Sequence, residues 1–213
     1  MSDTAELIAK DLLSIQAVFL KPNDPFTWAS GIHSPIYCDN RLTLSDVKVR
    51  NDVEDALAAT IKEKFPECEC VMGTATAGIA HAALTAERLG LPMGYVRSGA
   101  KDHGRKNQIE GKCQPGTKVV VVEDLISTAG SSLEVVDILR EAGAEVLGMV
   151  AIFTYGMQKG IDRMTADNLT WYTLSNLDVL AEVAVQEGYI KAEDRQKLLQ
   201  FRANPSDESW MGK

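Results

Sequence analysis

Four valines in a row, Val119 to Val122, followed at once by Glu123 and Asp124, constrain the fold of this 213-residue chain more than any other stretch. An unbroken β-branched run has no polar side to turn toward water. It therefore reads as a strand covered on both faces, as a parallel strand between two helical layers is. Leu125 and Ile126 follow the acidic pair, and then Ser127-Thr128-Ala129-Gly130-Ser131-Ser132, hydroxyl-rich and nearly free of bulk, opens into a helical pattern. A strand that ends in carboxylates and turns into a helix N-terminus puts two tools in one place. The carboxylates can accept hydrogen bonds from ligand hydroxyls or hold a hydrated Mg²⁺, while the free N–H groups and positive end of the helix dipole favour a phosphate. Such a site suits a sugar phosphate.

The rest of the chain alternates strands and helices around this stretch. Asp3 with Glu6 resembles a capping box, and Ile8, Leu12, Ile15 and Phe19 predict a helix from about Thr4 to Leu20. Pro22, Pro25, Gly31 and Pro35 break the next segment, yet Phe26, Trp28, Ile36 and Tyr37 are too apolar for a solvated linker, so short strands packed as a cap are expected. Ser45 is the expected N-cap of a helix to about Lys64, with Val49, Val53, Leu57 and Ile61 along one stripe. A strand over Glu69 to Met72 leads through the small residues of Gly73 to Gly78 into a helix stopped by Gly90, and Pro92 to Val96 is the next strand. Arg97 to Gly116 reads as a long basic loop, a length that is usually functional or disordered.

Beyond the valine strand, Leu133, Val136, Leu139 and Ala142 predict a helix ended by Gly143. Strands at Val146 to Phe153 and Leu169 to Leu174 follow, then helices at Leu177 to Gln186 and Ala192 to Phe201, and a frayed tail. The fold class is α/β: a doubly wound, mostly parallel sheet flanked by helices, with ligands at the carboxyl ends of the strands. One domain over 1–213 is expected, with a small hood at about 1–44 joined by the C-terminal segment, and a core at about 45–175. The turns at 73–78 and 124–132 and the loop starting at Arg97 all fall at such strand ends.

Composition narrows the partners. With 22 basic against 30 acidic residues and a net charge of −8, a broad nucleic-acid surface is excluded. No 18-residue apolar run occurs and the N-terminus is amphipathic rather than signal-like, so a soluble, cytoplasmic protein without a membrane partner is expected. Cys38, Cys68, Cys70 and Cys113 lack zinc-site spacing and read as reduced structural thiols. His81 falls inside a helix as a satisfied histidine, and His33 faces solvent on the cap.

Neither small-residue turn matches the phosphate loop of nucleotide triphosphatases, and no G-x-G-x-x-G fingerprint is present. Gly73 to Gly78 fits a plain strand-to-helix connection as well as a cradle in which bare N–H groups approach a pyrophosphate. An acidic pair after a valine-rich strand also occurs in receiver domains, but near the N-terminus and without the hydroxyl-rich turn. The order acidic, acidic, apolar, apolar, Ser, Thr, Ala, Gly, Ser resembles the type I phosphoribosyltransferases. Tyr95 to Gly104, containing Lys101-Asp102-His103-Gly104, is similar to the catalytic loop of the orotate phosphoribosyltransferases, and Phe26-Thr27, Ser30-Gly31 and Ser34-Pro35 are similar to their hood.

That resemblance implies transfer of a 5-phosphoribosyl group from phosphoribosyl diphosphate to orotate, giving orotidine 5-monophosphate and pyrophosphate in pyrimidine biosynthesis. It implies Mg²⁺ as cofactor, held mainly by the diphosphate and water with no direct protein ligand, and a homodimer in which the mobile loop is shared across the interface. Glu123 and Asp124 match the pair that binds the ribose hydroxyls, Thr128 to Ser132 the 5-phosphate loop, and the Gly73 to Gly78 turn the pyrophosphate loop. Arg97, Lys101 and His103 match basic residues that reach the pyrophosphate. The implied catalytic set is thus Lys101, His103, Arg97, Asp124 and Glu123. The diphosphate-binding set adds Thr74, Ala75, Thr76, Leu125, Ile126, Ser127, Thr128, Ala129, Gly130 and Ser131, and Ser127 also contacts orotate. The chain departs from the family pattern at Ser98, Ala29 and Tyr155, where basic residues are common, and carries one extra residue near Ser127. A phosphoribosyl diphosphate-sensing regulator and a purine-type transferase are the alternatives. The first lacks a nucleic-acid surface here, and the Lys101 to Gly104 loop argues against the second.

Overall fold

The computed structural model describes residues 3–28, 31–97, 99 and 108–212. A six-stranded sheet forms its centre. In chain order the strands are β5 (Cys70–Thr74), β6 (Met93–Val96), β7 (Ile109–Glu110), β8 (Lys118–Ile126), β9 (Glu145–Thr154) and β10 (Trp171–Asn176), and in space they run β10-β9-β8-β5-β6-β7. All neighbours are parallel except β6 and β7, so the doubly wound, mostly parallel expectation holds. The chain starts at β5, moves outward to β6, then crosses to β8 on the other side. β5 and β8 are therefore the pair at which strand order reverses, where an open sheet leaves its ligand crevice. Val119 to Val122 are fully buried between the two helical layers, as the unbroken apolar run requires.

Helix α2 (Val47–Lys64) buries Val49, Val53, Leu57 and Ile61 together with α3 (Ala77–Leu89), which Gly90 ends in the left-handed conformation at φ 65°. The N-cap of α2 is Asp46 rather than Ser45, its carboxylate accepting from Val49 N–H at 3.0 Å; Ser45 closes a 3-10 turn over Asn40–Ser45. Between α2 and α3, His81 Nδ1 lies 2.6 Å from Glu54 Oε1 and the Thr85 hydroxyl donates to Glu54 Oε2 at 2.9 Å, all fully buried. On the other layer, α4 (Gly130–Glu141) buries Val135, Val136, Ile138 and Leu139.

Several boundaries differ from expectation. The first helix, α1 (Asp3–Ser14), stops short of Leu20, because Gln16 turns left-handed at φ 58° and Val18–Leu20 pairs as strand β1 with β4 (Ile36–Cys38). The β-prone Val-Phe-Leu run gains a partner there that a helix would deny it. With β2 (Phe26–Thr27) on β3 (His33–Ser34), these ribbons form the expected cap. Part of the long loop is also strand: β7 pairs with β6 through Tyr95↔Glu110 and Val96↔Ile109. Helix α5 (Gln158–Ala166) has no counterpart in the sequence reading, and its nine residues bury only Gly160 and Met164. The last strand begins at Trp171 rather than Leu169. Helices α6 (Leu177–Gln186) and α7 (Ala192–Ala203) lie where expected. The tail does not fray: Trp210 is buried in the core, edge-on to Phe201 with ring centroids 6.0 Å apart.

Candidate active site

The acidic pair lies inside β8 rather than beyond it. The ladder from β5 ends at Gly73↔Val122, while that from β9 continues to Ile126↔Thr154, so the last four residues of β8 outrun one neighbour and stay pinned to the other. That overhang opens the crevice at the switch point. A cavity of about 260 Å³ is lined there by Thr74, Ala75, Thr76, Arg97, Glu123, Asp124, Leu125 and Ser131, among others. Segments separated by fifty residues thus meet, as the strand-end placement required. Gly73 and Gly78 are needed for that close approach, since a Cβ on Gly78 would lie 2.5 Å from Thr74 Oγ1 and 2.6 Å from the Val122 carbonyl. The Ala75–Thr76 peptide is cis.

The two carboxylates differ. Glu123 is buried and its oxygens are already used: Oε1 accepts from the Thr74 hydroxyl at 2.7 Å and from Asp124 N–H at 3.0 Å, and Oε2 from the Ser132 hydroxyl at 2.9 Å. Burial, with the Asp124 side chain beside it, pushes Glu123 up to about 8 against the bonds from Thr74 and Ser132. Asp124 is partly exposed at the crevice and is the member of the pair available to a ligand. Its carbonyl accepts from Asn40 Nδ2 at 2.7 Å, and Asn40 in turn accepts from the Cys38 thiol at 3.2 Å. Asn40 ties the cap to the carboxylate strand and was not visible as a site residue in sequence, where it reads as one more turn-forming polar residue after Asp39.

The turn after β8 is shaped for an anion. Ala129 takes the left-handed conformation at φ 58° and no side chain caps the N-terminus of α4, which leaves its first-turn N–H groups to other acceptors. Arg163 on α5 donates to the Thr128 carbonyl at 2.9 Å and bounds a second groove together with Gly130. Sequence reasoning missed Arg163 because it missed α5. Ser127 faces elsewhere: its hydroxyl donates to Met157 Sδ at 3.7 Å, and it lines a cavity of about 570 Å³ with Phe26, Thr27, Trp28, Tyr37, Cys38, Leu125 and Tyr155. Leu125 borders both cavities, so the polar crevice and the aromatic cavity adjoin.

Arg97 lines the crevice, and its Nε lies 2.8 Å from Glu110 Oε1 on the edge strand. Lys101 and His103, with the departures at Ala29 and Ser98, lie outside the described residues. Tyr155 is buried against Trp28 and Phe153, with centroids at 5.8 and 6.0 Å. Burial raises its phenol, whose hydroxyl bonds to the Cys38 backbone. Among the described residues no cluster of three or more His, Cys, Asp or Glu side chains forms a metal cage. With Glu123 sealed, the single open carboxylate of Asp124 fits a hard, mostly hydrated cation better than a fully protein-ligated one.

The phosphoribosyl transferase domain model matches residues 47–186. Proteins named orotate phosphoribosyltransferase from Bacillus cereus (strain G9842) and Bacillus subtilis (strain 168) are 58% and 57% identical over 204 and 208 residues, covering 96% and 98% of this chain and 97% and 96% of theirs. The crystal structure of orotate phosphoribosyltransferase from Aeropyrum pernix is 29% identical, with a TM-score of 0.74 over 86% of this chain and 99% of its own. With that likeness running through cap, crevice and C-terminal segment alike, the chain belongs to the phosphoribosyl transferase family and, within it, to the orotate phosphoribosyltransferases.

Proposed function

We propose that the chain joins orotate to phosphoribosyl diphosphate, releasing pyrophosphate and orotidine 5-monophosphate, as a pentosyltransferase of pyrimidine biosynthesis. The observation that carries this reading is the adjoining pair of cavities on one strand: a polar crevice at Asp124 for the ribose and diphosphate, and an aromatic cavity at Ser127 for the base. The near-full-length identity to orotate phosphoribosyltransferases supports the same base.

The ring nitrogen of orotate is a weak nucleophile, so the reaction depends on departure of pyrophosphate from a ribose carbon with oxocarbenium character. Positioning and electrostatics then supply most of the acceleration. Asp124 accepts from the ribose hydroxyls and partly offsets the cationic sugar, while Glu123, bonded to Thr74 and Ser132, holds the strand and turn in register around it. The N–H groups of the 128–132 turn take the 5-phosphate, and the Thr74 to Thr76 turn takes the diphosphate with the backbone left once the Ala75 N–H has gone to the Val96 carbonyl at 3.0 Å. Thr74 acts there through its backbone, since its hydroxyl is committed to Glu123. Arg97, Lys101 and His103 meet the charge that grows on the leaving group. Asp124, the partly exposed carboxylate, would hold a hydrated Mg²⁺, and the ion would supply further neutralisation of the diphosphate. The enzyme is cytoplasmic, works as one domain over 1–213, and forms a homodimer that shares the Arg97 to Gly104 loop across its interface.

Loss of orotate absorbance on adding phosphoribosyl diphosphate and Mg²⁺, beside parallel reactions with hypoxanthine, adenine and uracil, tests the reading. Turnover of orotate alone is expected. Turnover of a purine instead, or of no base, would sink it.

A further inference from the structure

The aromatic cavity is backed by a column of rings that reaches the end of the chain. Trp28, partly exposed on its wall, leans on Tyr155 at 5.8 Å and 31°, and meets the edge of Phe201 at 5.6 Å and 89°. Phe201, fully buried on α7, meets Trp210 at 6.0 Å and 75°. Polar contacts tie the same two parts of the chain together on either side of the column. His33 Nδ1 lies 2.6 Å from Glu208 Oε1, Asn23 Nδ2 donates to Asp194 at 3.2 Å, and Lys197 donates to Asn23. The segment that carries Trp28 is itself a short turn, held by Gly31 N–H to the Trp28 carbonyl at 2.8 Å and Trp28 N–H to the Ile32 carbonyl at 2.9 Å. Such a turn cannot fix an indole by backbone alone; the rings behind it do.

We infer that Trp28 is the stacking surface for the base, and that Phe201 and Trp210 are positioning residues that hold its indole at the cavity from the C-terminal segment. This rests on the transferase reading above. Among the described residues lining that cavity none is a cation, so the flat, electron-poor pyrimidine is met there by π surface and by the Ser127 hydroxyl. The Tyr155 ring, buried and 5.8 Å from the indole at 31°, is a fixed wall behind it, its hydroxyl held by the Cys38 backbone.

Trp210→Leu keeps apolar bulk and removes the ring. It is expected to raise the orotate KM about tenfold while the phosphoribosyl diphosphate KM and kcat stay within about twofold. Trp210→Phe should restore the wild-type value, because the buried Trp210 indole N–H has no hydrogen-bond partner in the structure and only the ring is needed. Trp28→Leu should show the same signature more strongly, and Trp28→Leu/Trp210→Leu should be no worse than Trp28→Leu alone, since Trp210 acts through it. Phe201→Leu serves as the second positioning variant should Trp210→Leu fail to fold. A wild-type chain inert toward orotate overturns the transferase reading and this inference with it. An active wild type with an unchanged orotate KM in the variants, equal rises in both KM values, or additive effects in the double variant overturns this inference alone.

Discussion

Glu123 and Asp124 are neighbours in sequence with opposite surroundings, one sealed and triply bonded, the other at the crevice. Because burial raises Glu123 to about 8 from an ordinary value of 4.5, the folded chain holds that proton more tightly than the unfolded chain. The stabilisation is fully present below about pH 4.5 and is lost as pH rises through about 8. The melting temperature of the ligand-free protein should therefore fall between pH 6 and 9 more steeply than in Glu123→Gln, which keeps the shape without the charge. Parallel slopes would show that Glu123 does not titrate there. Lys101→Ala tests a different residue-scale role. It should lower kcat by about a hundredfold or more while weakening phosphoribosyl diphosphate binding far less, because its charge partner forms during the reaction. An unchanged kcat in purified mutant removes the assignment.

Among the elements, β8 was the most legible and α5 the least. The valines told of burial on both faces, and burial on both faces told of a parallel sheet. Nothing in the run told how far β8 would outlast β5, because ladder length depends on the neighbour's end. α5 left no signal because a nine-residue helix with Gly160 inside and two buried positions has too little periodicity to count. Trp28 was legible only as an apolar residue in the cap; its place on the cavity depends on the distant rings of Phe201 and Trp210 near the other end of the chain. The α3–β8 junction yields a prediction at this scale. Gly78→Ala would set a methyl 2.6 Å from the Val122 carbonyl, so it should destabilise by about 1–3 kcal/mol in denaturant unfolding. It should also raise the phosphoribosyl diphosphate KM, because α3 must move away from the turn at 74–76. Wild-type values for both would mean that the junction has slack.

For the whole molecule, the mostly parallel sheet, the cap and the convergence of the 73–78 and 124–132 turns followed from pattern alone, and the likeness to orotate phosphoribosyltransferases follows them along the full chain. The proposed sharing of the loop between subunits makes a prediction at this scale. Mixing Lys101→Ala with Asp124→Ala protomers should recover up to about a quarter of wild-type sites by random pairing, since one site of each hybrid has both native segments. Verified heterodimers without activity would place the loop in its own subunit's site. The overhang of β8 carries a last consequence. Its carboxylates sit on a ladder locked to β9 up to Ile126↔Thr154, whereas the aromatic cavity proposed for the base is assembled largely from the segment of residues 26–38. On the proposed function the molecule thus sets a fixed anvil for the phosphoribosyl donor against a jaw built mostly from the cap, and redesign toward another heterocycle starts in the jaw and keeps Leu125, Ser127 and Tyr155 in step with it.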